Sequence, residues 1–321
     1  MNEFKIINKY FSPLIKKNSG AFNLKDDIFY DKFKKLGVTI DTYIEKKHFI
    51  NFNKPHLVIK KTLRSSLSDL LCKGIIPKYY FFSVAGNNYH LNKIKLQKIN
   101  SALKQEQRKF NINLAGGDTT HSNVLTLTYC FIGYSKYLPV LRNNAKLNDD
   151  IYITNNIGDS FMGLLALKKK LKLNNSLKKY FINKYYLPNL PNLFSKKISL
   201  FANSSIDISD GFLQDLNHIL YNSNFSANIF FDKIPISTYL KKFLKKFNKD
   251  KINYISKGDD YQILFTASKN NRRRIKKFSR LTKTKVSIVG VITKKKSLKS
   301  KPSIKNVAKN VKIQGFLHKF R

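Results

Sequence analysis

The stretch that decides the fold is 113–133, "NLAGGDTTHSNVLTLTYCFIG", in which two glycines lead into one acid between two apolar runs. Short apolar runs bounded by glycine are typical of β-strands, so the sequence predicts a strand ending at Gly116 and another over 124–133. The acid, Asp118, stands out in a strongly basic chain. It could simply bond its own backbone in a turn. Alternatively, glycines without a Cβ let phosphate and metal approach the backbone beside a carboxylate.

Strands and helices alternate on both sides of this stretch, which predicts an α/β (α+β) fold. Predicted strands before it lie at 26–30, 36–44 and 78–86, and predicted helices at 2–11, 55–73 and 91–109. After it, strands are predicted at 150–155, 204–209, 226–231, 261–268 and 285–293, and helices at 158–171, 210–222 and 237–248, with a basic helix before the last strand. The polar, turn-rich stretch 137–148 predicts a boundary between domains 1–138 and 139–321.

The bulk composition supports a folded chain with an unusual charge. The chain has 321 residues, is 42% hydrophobic and carries a formal net charge of +42. Such a charge suits a nucleic-acid or acidic-membrane partner. However, the lysines are spread along the whole chain, which favours the compositional drift of an AT-rich genome. We therefore predict no specific nucleic-acid partner and no membrane partner, with a general attraction for phosphorylated ligands.

The cysteines and the N-terminus predict a cytoplasmic protein. Cys72 and Cys130 both lie in apolar surroundings, so a disulfide framework is not expected and a reducing compartment is. The first residues lack the uninterrupted apolar segment of a signal peptide. No apolar run approaches the length of a membrane span.

The few acids are concentrated where metal ligands would be expected. Most aspartates follow strands or begin helices, often beside Gly, Ser or Thr. Singly, Asp159 and Asp210 could each be a helix N-cap. Together, short carboxylates at loop–strand junctions are what Mg²⁺ requires when it is held by carboxylates and substrate phosphates. The sequence therefore suggests a Mg²⁺ site for a polyphosphate.

The absence of several sequence motifs argues against further classes of enzyme. The sequence contains no G-x-x-x-x-G-K-[ST] phosphate loop and no H-R-D with a following D-F-G. This excludes the P-loop enzymes and the protein kinases. A G-x-S-x-G elbow and a Cys/His zinc spacing are also absent, which argues against the corresponding hydrolases and zinc sites.

The ordered acidic motifs resemble one known family. They are "DD" at 26–27, "IDT" at 40–42, "HF" at 48–49, "LSDLLCKG" at 67–74, "GGDTT" at 116–120, "NNAKLNDDIYITNNIGDSFMG" at 143–163, "SSIDISDGFLQDL" at 204–216 and "GDDYQILFT" at 258–266. Their order and spacing are similar to those of the thiamine-monophosphate kinases, members of the aminoimidazole-ribonucleotide-synthetase (PurM-like) superfamily. The resemblance covers nearly the whole chain.

This resemblance implies a two-domain PurM-like fold in which the N-terminal domains of a homodimer pair into an intersubunit β-barrel. It implies an ATP:thiamine-phosphate phosphotransferase with ATP as co-substrate and Mg²⁺ as cofactor. The γ-phosphate would pass directly and in line to thiamine phosphate, giving thiamine diphosphate and ADP. No side chain would act as a covalent catalyst, because phosphoryl transfer depends mainly on positioning and charge neutralisation.

The resemblance also implies a set of site residues. The implied metal ligands are Asp27, Thr39, Ile40 through its backbone carbonyl, Asp41, Asp69, Asp118, Asp207 and Asp210. The implied ATP contacts are Phe110, Gly116, Gly117, Arg142 and Ser209. The implied thiamine-phosphate contacts are His48, Asp259 and Phe316.

Three departures from the family pattern lie near this set. Lys25 replaces a glycine and could compete with Mg²⁺ beside Asp26 and Asp27, Ser66 replaces an asparagine, and Asp259 replaces a glutamate. Two alternatives stay open. One is another ATP-dependent enzyme of the same superfamily, and the other is a basic polyanion-binding protein with weakened catalysis.

Overall fold

The computed structural model describes residues 3–15, 18–297 and 300–305, and its strands form two sheets. The first sheet has the order β1-β2-β5-β3-β4, with β1 Phe29–Asp31, β2 Leu36–Ile44, β3 Ile76–Gly86, β4 Asn113–His121 and β5 Thr126–Tyr134. The second has the order β11-β8-β10-β6-β9-β7, with β6 Asp150–Thr154, β7 Ser204–Asp207, β8 Ser226–Ile229, β9 Ile263–Ala267, β10 Val286–Thr293 and β11 Ile304–Lys305. The predicted mixed α/β class is confirmed.

The helices follow the strands in the predicted alternation. They are α1 Glu3–Ile6, α2 Pro55–Cys72, α3 Lys93–Phe110, α4 Asp159–Leu167, α5 Asn175–Tyr186, α6 Asn192–Ser195, α7 Phe212–Ser223, α8 Thr238–Lys246, α9 Ile252–Ile255 and α10 Arg272–Leu281. Short non-α turns lie at Ile7–Phe11, Ser12–Ile15, Ser19–Leu24, Ile198–Leu200, Phe231–Lys233 and Lys269–Asn271. No helix in the described part of the chain is long and apolar enough to cross a membrane.

Helix α2 lies between the two sheets. Pro55 occupies its first turn, where the missing N–H removes no helical hydrogen bond. The helix packs against β2 and β5 of the first sheet and against β7 of the second. Most of its side chains are buried, including polar ones such as Lys61 and Ser68. Because it contacts both sheets, α2 can carry side chains to a site between them.

One face of the first sheet is covered and the other is open. Tyr80, Tyr129 and Phe131 are fully buried on the covered side, and their rings stack on one another. On the opposite side, Ile40 pairs with Cys130 and Cys130 with Phe81 across neighbouring strands. Ile40 and Phe81 are 67% and 40% exposed, respectively. The described residues therefore leave an apolar sheet face uncovered, which we call the open face.

The predicted break at the glycines of 113–122 is wrong. Strand β4 runs without interruption from Asn113 to His121 and pairs in parallel with β3. A Cβ at Gly117 would lie 1.9 Å from the carbonyl oxygen of Phe82, whereas a Cβ at Gly116 would lie 3.1 Å from the Phe81 ring. Gly117 is therefore required by the close approach of the neighbouring strand.

The predicted first strand also begins too early. β1 starts at Phe29, so Asp26 and Asp27 belong to the loop before it. Without strand pairing, this loop can turn both carboxylates towards neighbouring elements.

Candidate metal and phosphate site

Three aspartates from different parts of the chain meet at one point between the sheets. Asp27 lies in the loop before β1, Asp69 on α2 and Asp207 at the end of β7. One carboxylate oxygen of each lies within 4.8 Å of the other two. Such a group of oxygens suits a hard divalent cation. We call these three residues the carboxylate cluster.

Strand β2 adds Thr39 and Asp41 beside this cluster. The Thr39 hydroxyl lies 2.8 Å from Asp69 Oδ2 and 3.1 Å from the carbonyl oxygen of Asp27, so its proton is donated to one or the other. Asp41 accepts a hydrogen bond of 2.9 Å from the Tyr43 hydroxyl. Both residues alternate with Ile40 on β2, so their side chains point to the covered side of the sheet.

Burial and mutual repulsion disturb the acids of this site. Burial raises the pKa of Asp69 well above its usual value, and the charges of Asp41, Asp207 and Asp27 raise it further. Burial, followed by the charge of Asp27, raises the pKa of Asp207 to about 6. A bound cation would relieve this repulsion, because an opposite charge within a few ångströms favours the ionised carboxylate.

Asp27 differs from Asp69 and Asp207 because the side chains of Arg142 and Lys73 lie beside it. Burial would raise its pKa, but the charges of Arg142 and Lys73 hold the pKa below its usual value. The Arg142 guanidinium donates to Asp27 Oδ1. Asp27 Oδ2 is buried without a hydrogen-bond partner among the described residues. An ionised carboxylate oxygen that accepts no hydrogen bond, on a residue grouped with Asp69 and Asp207, fits a metal ligand.

Arg142 connects the cluster to a polar cavity. Its backbone N–H donates to Asp26 Oδ2 at 3.0 Å, and its buried Nε has no hydrogen-bond partner among the described residues. A cavity of about 480 Å³ opens beside it and is also lined by Lys25, Asp26 and Asn143. A guanidinium at such an opening can bind phosphate oxygens.

At the start of α7, Asp210 is not the helix N-cap that the sequence suggested. The N-cap residue is Gly211, without a side-chain cap. Instead, Asp215 Oδ2 accepts the N–H groups of Asp210 and Gly211 at 3.2 and 3.0 Å. Asp210 accepts a hydrogen bond from the Gln214 amide, and burial raises its pKa to about 7. Asp159 is not a cap either, because it accepts hydrogen bonds from Ser237 and Tyr180.

The glycine-flanked acid lies away from the carboxylate cluster within one chain. Asp118 is exposed on edge strand β4, where it accepts the N–H of Thr119 at 2.8 Å. It pairs with Ser83 on β3, and β5 and β3 separate its strand from β2. Three strand spacings place it roughly 14 Å from β2. The cluster is also distant from Gly116 and Gly117, which lie on the same edge strand. The exposed Ile40 side chain points to the open face.

The remaining implied contacts are dispersed. Phe110 is buried at the end of α3 in the core of the first sheet. His48 accepts the N–H of Ile44 through Nδ1 at 2.9 Å. The carbonyl oxygen of Ser209 accepts the N–H of Asp259 at 2.8 Å. Phe316 lies outside the described residues.

Two buried lysines at this site were missed from the sequence. Lys61 is 2% exposed, its Nζ lies 2.7 Å from Asp259 Oδ1, and it stacks over the Tyr185 ring at 4.0 Å. Lys73 is fully buried against Asp26. Helical spacing gave no signal for the burial of Lys61, because at about 100° per residue it lies opposite the face formed by Leu63, Leu67 and Leu70, where an exposed lysine is expected. For Lys73, the abundance of lysine in the chain obscured any such signal.

Comparisons with known proteins agree with this architecture. Residues 25–134 match the family described as "AIR synthase related protein, N-terminal domain". Over 300 residues, the chain is 35% identical to the thiamine-monophosphate kinase of Buchnera aphidicola subsp. Acyrthosiphon pisum, and the match covers 91% of each protein. Over 272 residues, it is 28% identical to that of Aquifex aeolicus, with 84% of this chain and 87% of the relative covered.

Solved structures support the same assignment. A structure of AaThiL complexed with AMPPCP and TMP has a TM-score of 0.85 and 25% identity, and the match covers 99% of this chain and 97% of that one. Thiamine monophosphate kinase from Aquifex aeolicus gives a TM-score of 0.77 at 25% identity, covering 91% and 95% of the two chains. The chain is therefore an AIR-synthase-related protein of PurM-like fold. More specifically, it belongs to the thiamine-monophosphate kinase family.

Proposed function

We propose that the chain transfers the γ-phosphate of ATP to thiamine phosphate, giving thiamine diphosphate and ADP. The single observation that carries the proposal is the convergence of Asp27, Asp69 and Asp207 within 4.8 Å. Family membership supports the choice of substrates. Acids held this close in a buried site are unfavourable without a cation, and a polyphosphate substrate brings Mg²⁺ with it.

Mg²⁺ is proposed to be held by the carboxylate cluster, with Thr39, Asp41 and Asp210 beside it and the Ile40 backbone carbonyl as a further ligand. When bound, Mg²⁺ neutralises phosphate charge and helps align the reacting groups. Arg142 would orient phosphate oxygens through the guanidinium nitrogens that Asp27 does not occupy. No general base is required, because the attacking phosphate oxygen of the substrate is already ionised.

The other implied contacts remain proposals that rest on the family resemblance. They are Phe110, Gly116, Gly117 and Ser209 towards ATP, and His48, Asp259 and Phe316 towards thiamine phosphate. We also propose a domain boundary at 138/139, on the polar stretch 137–148, and a cytoplasmic location, on the two cysteines in apolar sequence surroundings.

A homodimer is proposed to complete the site. The open face carries exposed apolar side chains such as Ile40, Tyr79 and Phe81, and contiguous exposed apolar surface marks an interaction site. Within the part of the chain that the structure describes, strand β4 pairs on one side only, with β3, and an unpaired strand edge invites a further strand. A second copy against this face forms the proposed barrel. The role of Asp118 as a metal ligand rests on the family resemblance, because within one chain its side chain lies away from the carboxylate cluster.

The direct test is an assay for thiamine diphosphate after incubation with ATP, Mg²⁺ and thiamine phosphate. The unmodified chain, dimeric in solution, is expected to form product. Asp118→Asn is expected to lower the rate at least about 100-fold, as for loss of a group that stabilises transition-state charge. Asp232→Asn, at an exposed position in the turn Phe231–Lys233, serves as the control and should retain the rate.

The alternatives give different results. Another ATP-dependent enzyme of the superfamily would form no thiamine diphosphate. A polyanion-binding protein would bind RNA with an affinity that falls steeply with salt, and Asp118→Asn would leave that binding unchanged. Absence of product from the unmodified chain, or an unchanged rate in Asp118→Asn, would contradict the proposed mechanism.

A further inference from the structure

Lys73 places a positive charge inside the proposed metal site. It follows directly after α2, and its side chain is fully buried. Its Nζ lies 2.8 Å from Asp26 Oδ1 and donates to the carbonyl oxygen of Ser205 at 2.8 Å. The same nitrogen lies 3.8 Å from Asp27 Oδ2, the buried oxygen that has no hydrogen-bond partner among the described residues.

Asp26 is fully engaged by protein donors. Besides the ammonium, its Oδ1 accepts the N–H of Asp27 at 2.9 Å, and its Oδ2 accepts the N–H of Arg142 at 3.0 Å. Its side chain is 4% exposed. In contrast, Asp27 Oδ2 accepts no hydrogen bond from the described residues, and Asp27 belongs to the carboxylate cluster with Asp69 and Asp207. Neighbouring acids in the sequence thus have different surroundings.

Lys73 is held in place by two oxygen partners. Asp26 Oδ1 and the carbonyl oxygen of Ser205 each lie 2.8 Å from its Nζ. The lysine expected from the sequence to compete with Mg²⁺, Lys25, is exposed instead.

The distances limit where a divalent ion can sit. Mg²⁺ binds carboxylate oxygens at about 2.1 Å. An ion on the Lys73 side of Asp27 Oδ2 would lie close to the ammonium, at a separation where like charges repel strongly in a buried site. An ion that Asp27, Asp69 and Asp207 hold together avoids this repulsion if it lies away from the ammonium.

We propose that the Lys73 ammonium permanently occupies the cation position between Asp26 and Asp27. Asp26 is thereby removed from the divalent-metal site, and divalent ions bind only on the side formed by Asp69 and Asp207. The inference rests on the proposed function for the metal site itself. Its consequence is that the chain binds fewer divalent ions than its acids would allow.

Mn²⁺ binding to the full-length chain without nucleotide tests this idea. Calorimetric titration and electron paramagnetic resonance would count the bound ions in the unmodified chain and in Lys73→Met, which keeps a side chain of similar length without charge. Lys73→Met is expected to bind one additional Mn²⁺, or to bind Mn²⁺ roughly tenfold more tightly, because the repulsion is removed. The matched control Lys25→Met removes an exposed charge one residue from Asp26 and should bind like the unmodified chain.

A second variant locates the additional ion. The double variant Lys73→Met with Asp26→Asn is expected to lose the gain, because the vacated position then lacks its carboxylate. Asp26→Asn alone should leave the number of ions unchanged, since Asp26 is not a metal ligand in the unmodified chain. An unchanged count and affinity in folded Lys73→Met, an equal gain in Lys25→Met, or an ion lost in Asp26→Asn would overturn the proposal.

Thermal unfolding covers the case in which Lys73→Met is unstable. The proposal expects millimolar Mn²⁺ to restore its folding, because the metal replaces the missing ammonium. If the variant stays unfolded with Mn²⁺, the position does not accept a divalent cation and the proposal fails. Since none of these measurements involves turnover, failure of the proposed kinase reaction would be seen separately, in the thiamine diphosphate assay.

Discussion

Replacing Asp207 with asparagine should stabilise the metal-free protein at neutral pH. The Asp207 side chain is buried, and its Oδ2 accepts a hydrogen bond of 2.6 Å from the Ser68 hydroxyl. Burial and the charge of Asp27 raise its pKa from 3.8 to about 6. A rise of this size destabilises the folded state by about 3 kcal/mol once the carboxylate is ionised. Asparagine keeps an acceptor for Ser68 and carries no charge.

The effect should depend on pH in a defined direction. Because the pKa of Asp207 is higher in the folded than in the unfolded chain, folding favours the protonated acid. The stability of the unmodified chain is therefore lost as pH rises from about 4 to about 6, and it stays low above that range. Asp210, whose pKa is raised to about 7, extends the loss towards neutral pH. At about pH 4 the two proteins should differ by less than about 1 kcal/mol from this cause.

Urea unfolding in the presence of a metal chelator provides the measurement. At pH 7.5, Asp207→Asn is expected to have a free energy of unfolding up to about 3 kcal/mol higher than the unmodified chain. Adding Mg²⁺ should stabilise the unmodified chain and have little effect on the variant, which has lost one of the three ligands.

A matched control separates this effect from the general consequences of replacing a buried acid. Asp149 is also buried, but it accepts hydrogen bonds from the Lys146 N–H, the Asn203 amide and the Thr266 hydroxyl. Asp149→Asn should therefore lower stability in the same buffer. A lower stability of Asp207→Asn than of the unmodified chain, without metal at pH 7.5, would refute the reasoning about charge repulsion.

Two further changes probe the framework of the first sheet. Arg64 donates to both carboxylate oxygens of Glu106 at 2.7 and 2.8 Å in a buried pair, so Arg64→Met should lower the free energy of unfolding by about 3–5 kcal/mol. Recovery in the double variant with Glu106→Gln checks the cause, and an equally unstable double variant would point to lost packing instead. Gly117→Ala places a Cβ 1.9 Å from the Phe82 carbonyl oxygen and should lower the melting temperature clearly more than Gly116→Ala does. Equal effects would argue against the strand contact.

Much of the local structure could be predicted from the sequence. Pro55 and the leucine spacing predicted a helix over 55–73, and α2 covers Pro55–Cys72. The alternating pattern of 36–44 predicted β2 with the same limits. These predictions succeeded because helix and strand periodicities are properties of neighbouring residues.

The sequence also determined which side chains were available for chemistry. The chain has few acids among many lysines. The order of the family motifs implied that Asp27, Asp69 and Asp207 are metal ligands. Their convergence within 4.8 Å depends on α2 packing between the two sheets. No local pattern specifies such a distance, because it is set by contacts between residues far apart in the chain.

The role of the glycines changed most between sequence and structure. "GGD" at 116–118 suggested glycines that let phosphate and metal approach the backbone beside a carboxylate. Instead, Gly117 is needed for the pairing of β4 with β3, and Asp118 lies on the open face. Only tertiary packing distinguishes exposed Lys25 from buried Lys73, which is paired with Asp26. The sequence determined the elements and the available acids, and the packing of the elements decided which charges meet, because burial and distance set the strength of electrostatic interactions.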